Sequence, residues 1–86
     1  MTELIEYYAI TRNSSSTADA TGIIRRRTTE EGRVDESLRR NFSWQPSSAL
    51  YEWEMGDVSG RHLIKISEAE AERLIERFRE KWTEQG

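Results

Sequence analysis

The segment from Ser67 to Trp82 constrains the fold more than any other part of the sequence, because it has the pattern of an amphipathic helix. Ser67 and Glu70 have the spacing of a capping box, in which each side chain accepts a hydrogen bond from the other residue's backbone N–H. A helix with one apolar stripe needs an apolar surface to cover, so we expect the rest of the chain to form a sheet beneath it. The stripe has no charged member and consists of Ala71, Leu74, Ile75, Phe78 and Trp82.

Length and composition favour a single small domain, residues 1–86, that works in a reducing compartment. The chain has 86 residues and no cysteine, so disulfides, thiolate metal sites and cysteine nucleophiles are excluded. No apolar run approaches the roughly 20 residues that span a membrane. Acidic Glu3 and Glu6 lie where a signal peptide would be basic. We therefore predict a cytoplasmic protein with no membrane partner.

Two strands are predicted in the first third of the chain. Residues 4–12 are rich in β-branched and aromatic side chains, and both faces of the segment carry apolar groups, which predicts a strand that is central or covered on both sides. Residues 13–21 lack periodicity and are predicted to form a flexible loop. Residues 22–28 then form the second strand, and glycine in the segment 30–32 allows a turn.

The segment 34–42 fits two structures. Asp35 could cap a short helix whose buried stripe is Val34, Leu38 and Phe42, spaced four apart. Alternatively, the segment could return as a strand after the glycine turn that precedes it. The spacing favours the short helix.

A hairpin is predicted to lead into the final helix. Residues 49–55 alternate apolar and polar side chains with a period near two, Gly56 and Gly60 bound a turn, and residues 61–66 follow as a strand. The chain is therefore expected to have an α+β fold, in which a small antiparallel sheet of three to four strands carries one long C-terminal helix packed on one face.

The basic segment from Arg25 to Arg40 is the candidate site for a nucleic acid or a phosphate group. Strand alternation puts Arg25 and Arg27 on one face, where a concentrated patch forms only if Arg39 or Arg40 folds alongside. The alternative, which we favour, is that the strand arginines pair across strands with acids such as Glu52 and Glu54.

The sequence contains little that could carry out catalysis. His62 is the only histidine and shares a predicted strand face with Ile64 and Ile66, so it cannot form a metal site by itself. No serine-nucleophile, phosphate-loop or paired-acid motif accompanies it. We expect no catalytic, metal or cofactor site.

Aromatic side chains are numerous for a chain of this size, and most are expected in the core. A single helix covers only one face of a sheet, so aromatic residues on the other face would form an exposed patch of the kind that binds a partner. Trp44, beside Pro46 in a predicted connector, is the first choice for such a position. The candidate interaction surface is Trp44, Tyr51, Trp53, Arg25, Arg27, Arg39 and Arg40.

Four short motifs resemble small uncharacterised proteins of GC-rich, actinobacterial-type bacteria. They are Tyr-Tyr-Ala-Ile at 7–10, Ser-Trp-Gln-Pro at 43–46, Tyr-Glu-Trp at 51–53 and Ile-Ser-Glu-Ala-Glu-Ala at 66–71. The resemblance implies a bacterial cytoplasmic setting and no site residues.

Two functions are consistent with these patterns. The favoured hypothesis is a non-enzymatic protein-interaction or accessory module that binds a protein partner or itself as a homodimer. The alternative is a nucleic-acid or phosphate-binding module that uses the basic segment.

Overall fold

The computed structural model describes residues 3–12, 20–56 and 62–85, with side chains as far as residue 82. The elements are β1 (Leu4–Thr11), β2 (Gly22–Thr29), β3 (Gly32–Leu38), β4 (Trp44–Pro46), α1 (Ala49–Glu54), β5 (His62–Ile66) and α2 (Glu68–Gln85). All paired strands are antiparallel, in the order β4-β3-β2-β1-β5. The α+β fold is therefore confirmed, but its sheet has five strands instead of three to four. Neither helix, over the part that is described, has the length and apolar character needed to cross a membrane.

The C-terminal helix forms as predicted. The Glu70 N–H donates a hydrogen bond to Ser67 Oγ at 3.1 Å, which satisfies a backbone donor in the first turn of α2. Ala71, Leu74 and Phe78 are at most 3% exposed. The predicted stripe is therefore the face of α2 that packs on the sheet.

The apolar stripe of α2 covers one face of the sheet, here called the helix face. Ala9 pairs with Ile23 across β1 and β2, and both are fully buried beneath α2 together with Leu38 of β3. Alternation along the strands puts Tyr8 and Ile24 on the opposite face, here called the second face. Ile24 is also 0% exposed, so the second face is covered as well.

Helix α1 supplies that second cover. Leu50 is 1% exposed, and Glu54, one turn later on the same side of α1, contacts Arg26 of the second face. Helix α1 thus lies against the second face, and in sequence it stands between the edge strand β4 and the opposite edge strand β5. Strand β1 lies between β2 and β5 and carries apolar residues on both faces, as its sequence predicted.

The short helix favoured for residues 34–42 is wrong, and most of this segment is strand β3 with the turn after it. Gly32 has φ of 138°, a conformation that favours glycine, and the turn sends the chain back along β2. Asp35 and Glu36 then lie opposite arginines of β2 and form ion pairs with them. Val34, expected in a buried stripe, is 49% exposed.

The strand predicted for residues 49–55 is also wrong, as is the hairpin it would form with β5, because this segment forms α1. Ser47 Oγ accepts a hydrogen bond at 3.2 Å from the Ala49 N–H, which helps to start the helix. Alanine, leucine and glutamate in the segment also favour a helix. Leu50 points inward whereas Tyr51 is 53% exposed, the opposite of the arrangement that alternation predicted.

Two predicted loops fall partly outside the described residues. Of the flexible loop predicted at 13–21, residues 13–19 lie outside, and Thr21 donates a backbone hydrogen bond to Ile10 at 2.7 Å. Of the turn predicted at 56–60, only Gly56 is described, with φ of 100°.

Replacing Leu74 by aspartate should unfold the domain. The side chain is 3% exposed in the core between α2 and the sheet, so an unpaired carboxylate there should lower the free energy of unfolding by about 4 kcal/mol. Urea denaturation followed by circular dichroism measures the change. Glu72→Ala, on the exposed side of the same helix, is the control and should stay within about 0.5 kcal/mol of wild type.

Candidate interaction surface

The most extensive ion-pair contact in the described structure is formed by Arg26 of β2. Its Nε and Nη2 donate to the two carboxylate oxygens of Asp35 at 2.7 and 3.0 Å. Its Nη1 and Nη2 donate to the two oxygens of Glu54 at 3.1 and 2.7 Å. One guanidinium therefore joins β2, β3 and α1 through two forked contacts.

Arg26, Asp35 and Glu54, here called the Arg26 triad, hold charges that are partly removed from water. The side chains of Arg26 and Asp35 are only 6% and 12% exposed, so both charges have lost most of their contact with water. Their ion pair compensates for this lost hydration. The hydrogen bonds to Asp35 and Glu54 raise the pKa of Arg26 further above its already high value. The same contact lowers the pKa of Glu54, whose side chain is 42% exposed. The triad fixes the position of α1 on the second face.

Arg25 lies on the helix face of β2, and it is already paired. Its Nε donates to Glu36 at 2.8 Å, and its guanidinium lies 4.3 Å from the centroid of the Trp44 ring. The rings of Trp44 and Tyr7 are 6.4 Å apart, and burial raises the pKa of the Tyr7 hydroxyl. Trp44 is therefore a half-buried strand residue packed on the core, and it does not belong to an exposed connector.

Arg27 is also paired, although more loosely. Its Nε donates to Glu3 at 2.9 Å and its Nη1 lies 3.6 Å from Glu36. The favoured interpretation was that the strand arginines form ion pairs with acids, and the presence of such pairs is confirmed. The acids differ from those expected, because Glu54 pairs with Arg26, and Glu52 instead accepts a hydrogen bond from Ser48.

Arg39 and Arg40 lie in the exposed turn between β3 and β4. No ion pair holds either guanidinium within the part of the chain that the structure describes. The turn ends at Phe42, whose φ of 64° is unusual for a bulky residue. The Phe42 ring packs 5.3 Å from that of Trp82 and 5.4 Å from the Arg79 guanidinium, so its contacts with α2 hold this conformation in place.

The outward side of α1 carries the most exposed apolar side chains outside the sheet. Tyr51 is 53% exposed and Met55, four residues later, is 70% exposed. Trp53 is half-buried on the same helix. Met55 follows the last residue of α1 and donates its N–H to the Tyr51 carbonyl at 3.0 Å, as in a helical turn. The two side chains therefore form one surface, here called the α1 surface.

The seven predicted surface residues are therefore not brought together. Tyr51 and Trp53 share α1, and Trp44 and Arg25 contact each other on the helix face. Arg27 is on that same face and shares Glu36 with Arg25, whereas Arg39 and Arg40 lie in the turn after β3. Met55 joins the surface only because the segment is helical, and the alternation that suggested a strand assigned it to the interior. Tyr51 and Met55 are four residues apart, which is about one helical turn. This spacing is the sequence signal that could have predicted the α1 surface.

Histidine and acidic side chains are dispersed in the described structure. His62 is exposed at the start of β5, and no cluster of three histidine, aspartate or glutamate residues able to hold a metal ion occurs in the described ranges. Every buried polar side-chain atom there has a hydrogen-bond partner. The buried charges of Arg26 and Asp35 are thus used in a structural pair.

The chain matches no protein-family model, and neither a curated protein nor a solved structure is detectably similar to it.

Loss of the Glu54 charge should loosen α1 in a pH-dependent way. Because Arg26 lowers the pKa of Glu54 below its usual 4.5, the contact stabilises the fold above that pH, and the gain is lost as pH falls through the lowered pKa. Glu54→Gln should therefore cost about 0.5 to 1 kcal/mol at pH 7, a modest value because the carboxylate is partly exposed and screened by solvent. The variant and wild type should converge only at pH values below that lowered pKa.

Urea denaturation at several pH values measures this difference. Glu52→Gln, two residues earlier on α1, removes another exposed carboxylate, which has no arginine partner in the described structure, and serves as the control. An equal and pH-independent loss in both variants would show that the Arg26 contact does not stabilise α1.

Proposed function

We propose that the chain is a non-enzymatic protein-interaction module that binds its partner through the α1 surface. The observation that carries the proposal is the joint exposure of Tyr51 and Met55 on a helix that is fixed to the sheet on its other side. The bacterial cytoplasmic setting implied by the four motifs is part of the same proposal.

The residue types support binding to a protein. Tyrosine and methionine are enriched in protein interfaces, where they bury large areas in the centre of the contact. Glu52 is exposed beside them and gives the surface a charged rim.

The rigidity of α1 also supports the proposal. An isolated six-residue helix is unstable in water, and ordering it on binding would weaken affinity. Leu50 and the Arg26 triad already hold this helix in place. A partner would therefore meet a preformed surface.

Site-specific photocross-linking in cells of the source organism tests the proposal. A benzophenone amino acid in place of exposed Glu52 should give a discrete adduct, because it sits beside Tyr51 and Met55. The adduct should disappear when the Tyr51→Ser and Met55→Ser changes are added. An adduct mass of about twice 10.1 kDa identifies a second copy as the partner, and any other mass identifies a different protein.

The control places the same cross-linker at Glu72, an exposed position on α2. No specific adduct is expected there. The proposal fails if position 52 gives no adduct, or if its adduct survives the two serine changes in a variant that circular dichroism shows to be folded.

A nucleic-acid or phosphate-binding module remains the second candidate, favoured by the exposed Arg39 and Arg40. The structure changes which residues would carry it, because Arg25 and Arg27 are paired with acids. Arg79 lies above Phe42 in the same region and would add a third cation.

Fluorescence anisotropy with a labelled single-stranded DNA tests this second candidate. Binding should weaken steeply as salt is raised, and an Arg39→Ala, Arg40→Ala double variant should bind on the order of ten-fold more weakly. The matched Arg25→Ala, Arg27→Ala variant should bind as wild type does if it remains folded. Absence of salt-sensitive binding by the wild-type chain would exclude this candidate for the DNA tested.

A further inference from the structure

Strand β5 forms a regular edge of the sheet. It pairs with β1 without interruption from Tyr7 opposite Ile66 to Thr11 opposite His62. No other strand of the described structure pairs with its outer side. Alternate residues of β5 therefore direct backbone N–H and C=O groups away from the sheet, which is a template for pairing with another strand.

The opposite edge of the sheet is different. Strand β4 has three residues and ends at Pro46, which has no N–H to donate. Short edges and prolines are ordinary means of preventing edge-to-edge association. Strand β5 has five residues and neither proline nor glycine. Within the described ranges, the sheet is therefore blunted at the β4 edge and unpaired at the β5 edge.

The single charge within β5 does not block the open edge. Lys65 could repel an incoming strand, but its Nζ lies 2.9 Å from a Glu6 carboxylate oxygen on β1. This contact raises the pKa of Lys65 and directs the ammonium over the second face. Helix α2 packs on the helix face, where it contacts β1 and shares a core cluster with Ile66 of β5, and it forms no part of the strand pairing at the sheet edge.

We propose that β5 pairs antiparallel with β5 of a second copy, joining two sheets into one continuous sheet. Opposed residues in an antiparallel pair point to the same side of the sheet. The register that pairs all five residues places Ile64 opposite its own copy and puts both α2 helices on the same side.

Charge favours this register. Lys65 lies opposite Leu63 of the second copy, whereas a shift of two residues would put Lys65 opposite itself. The aliphatic part of a lysine side chain packs well on leucine. At the centre, the two Ile64 side chains form a β-branched pair on the two-fold axis. The proposal uses a different surface from α1, so either can fail without the other.

Sedimentation equilibrium over a dilution series measures the association of the full chain. The mass should rise from 10.1 kDa toward about twice that value as concentration increases. A constant monomer mass up to the highest soluble concentration would overturn the proposal.

Two substitutions at Leu63 test the register. Leu63→Lys places like charges opposite each other at two symmetric positions, and the dimer should dissociate on the order of ten-fold more readily. Leu63→Glu removes the same apolar side chain but pairs with Lys65 of the second copy, so it should preserve dimerisation. The difference should shrink at high salt. Equal dissociation constants in two folded variants would contradict the pairing.

Disulfide formation locates the contact directly, since the chain has no cysteine of its own. In this register the two copies of residue 64 have Cα atoms about 5 Å apart, within the range that a disulfide spans. Ile64→Cys should therefore cross-link under mild oxidation. His62→Cys is the control, because its two copies would lie about 13 Å apart. A dimer in which residue 62 cross-links as readily as residue 64 would assign the interface elsewhere.

Discussion

The described structure depends on one arginine that two carboxylates share. Arg26 lies on the second face of the central sheet, where its charge is nearly removed from water. Asp35 and Glu54 supply the compensating charges from β3 and α1. Without both partners, a buried guanidinium would strongly destabilise the fold. With them, it forms a junction that joins β2, β3 and α1. The covered second face, the fixed α1 and the exposed α1 surface all follow from this junction.

Much of the local structure could be predicted from the sequence, for identifiable reasons. Helix α2 contains its own cap, stripe and charge distribution, and all of these signals lie within one segment. Strands β1 and β2 were predictable from β-branched and aromatic content. The turn at Gly32 was predictable from its glycine, but the structure of the chain after it was not, because spacing alone suggested a helical stripe.

The errors lie where residues outside a segment decide its structure. Residues 34–38 belong to strand β3, where Asp35 and Glu36 meet arginines of β2, and residues 49–54 form a helix in which Leu50 is buried and Glu54 pairs with Arg26. For the candidate surface, the pairing of Arg25 and Arg27 was predictable in kind from alternation and opposite charge. The partner acids and the position of Trp44 against Arg25 were not, since both depend on which strands become neighbours.

The path of the chain between the two sheet edges has a kinetic consequence. The β2–β3 hairpin joins residues close in sequence, whereas the β1–β5 ladder brings Tyr7 beside Ile66, across most of the chain. Contacts between residues close in sequence close short loops and form quickly. Ladders between segments far apart in sequence must close a long loop and form more slowly. Strand β1 should therefore have an unprotected edge until β5 arrives. During folding, that edge of β1 is exposed to other chains until residues 62–66 pair with it.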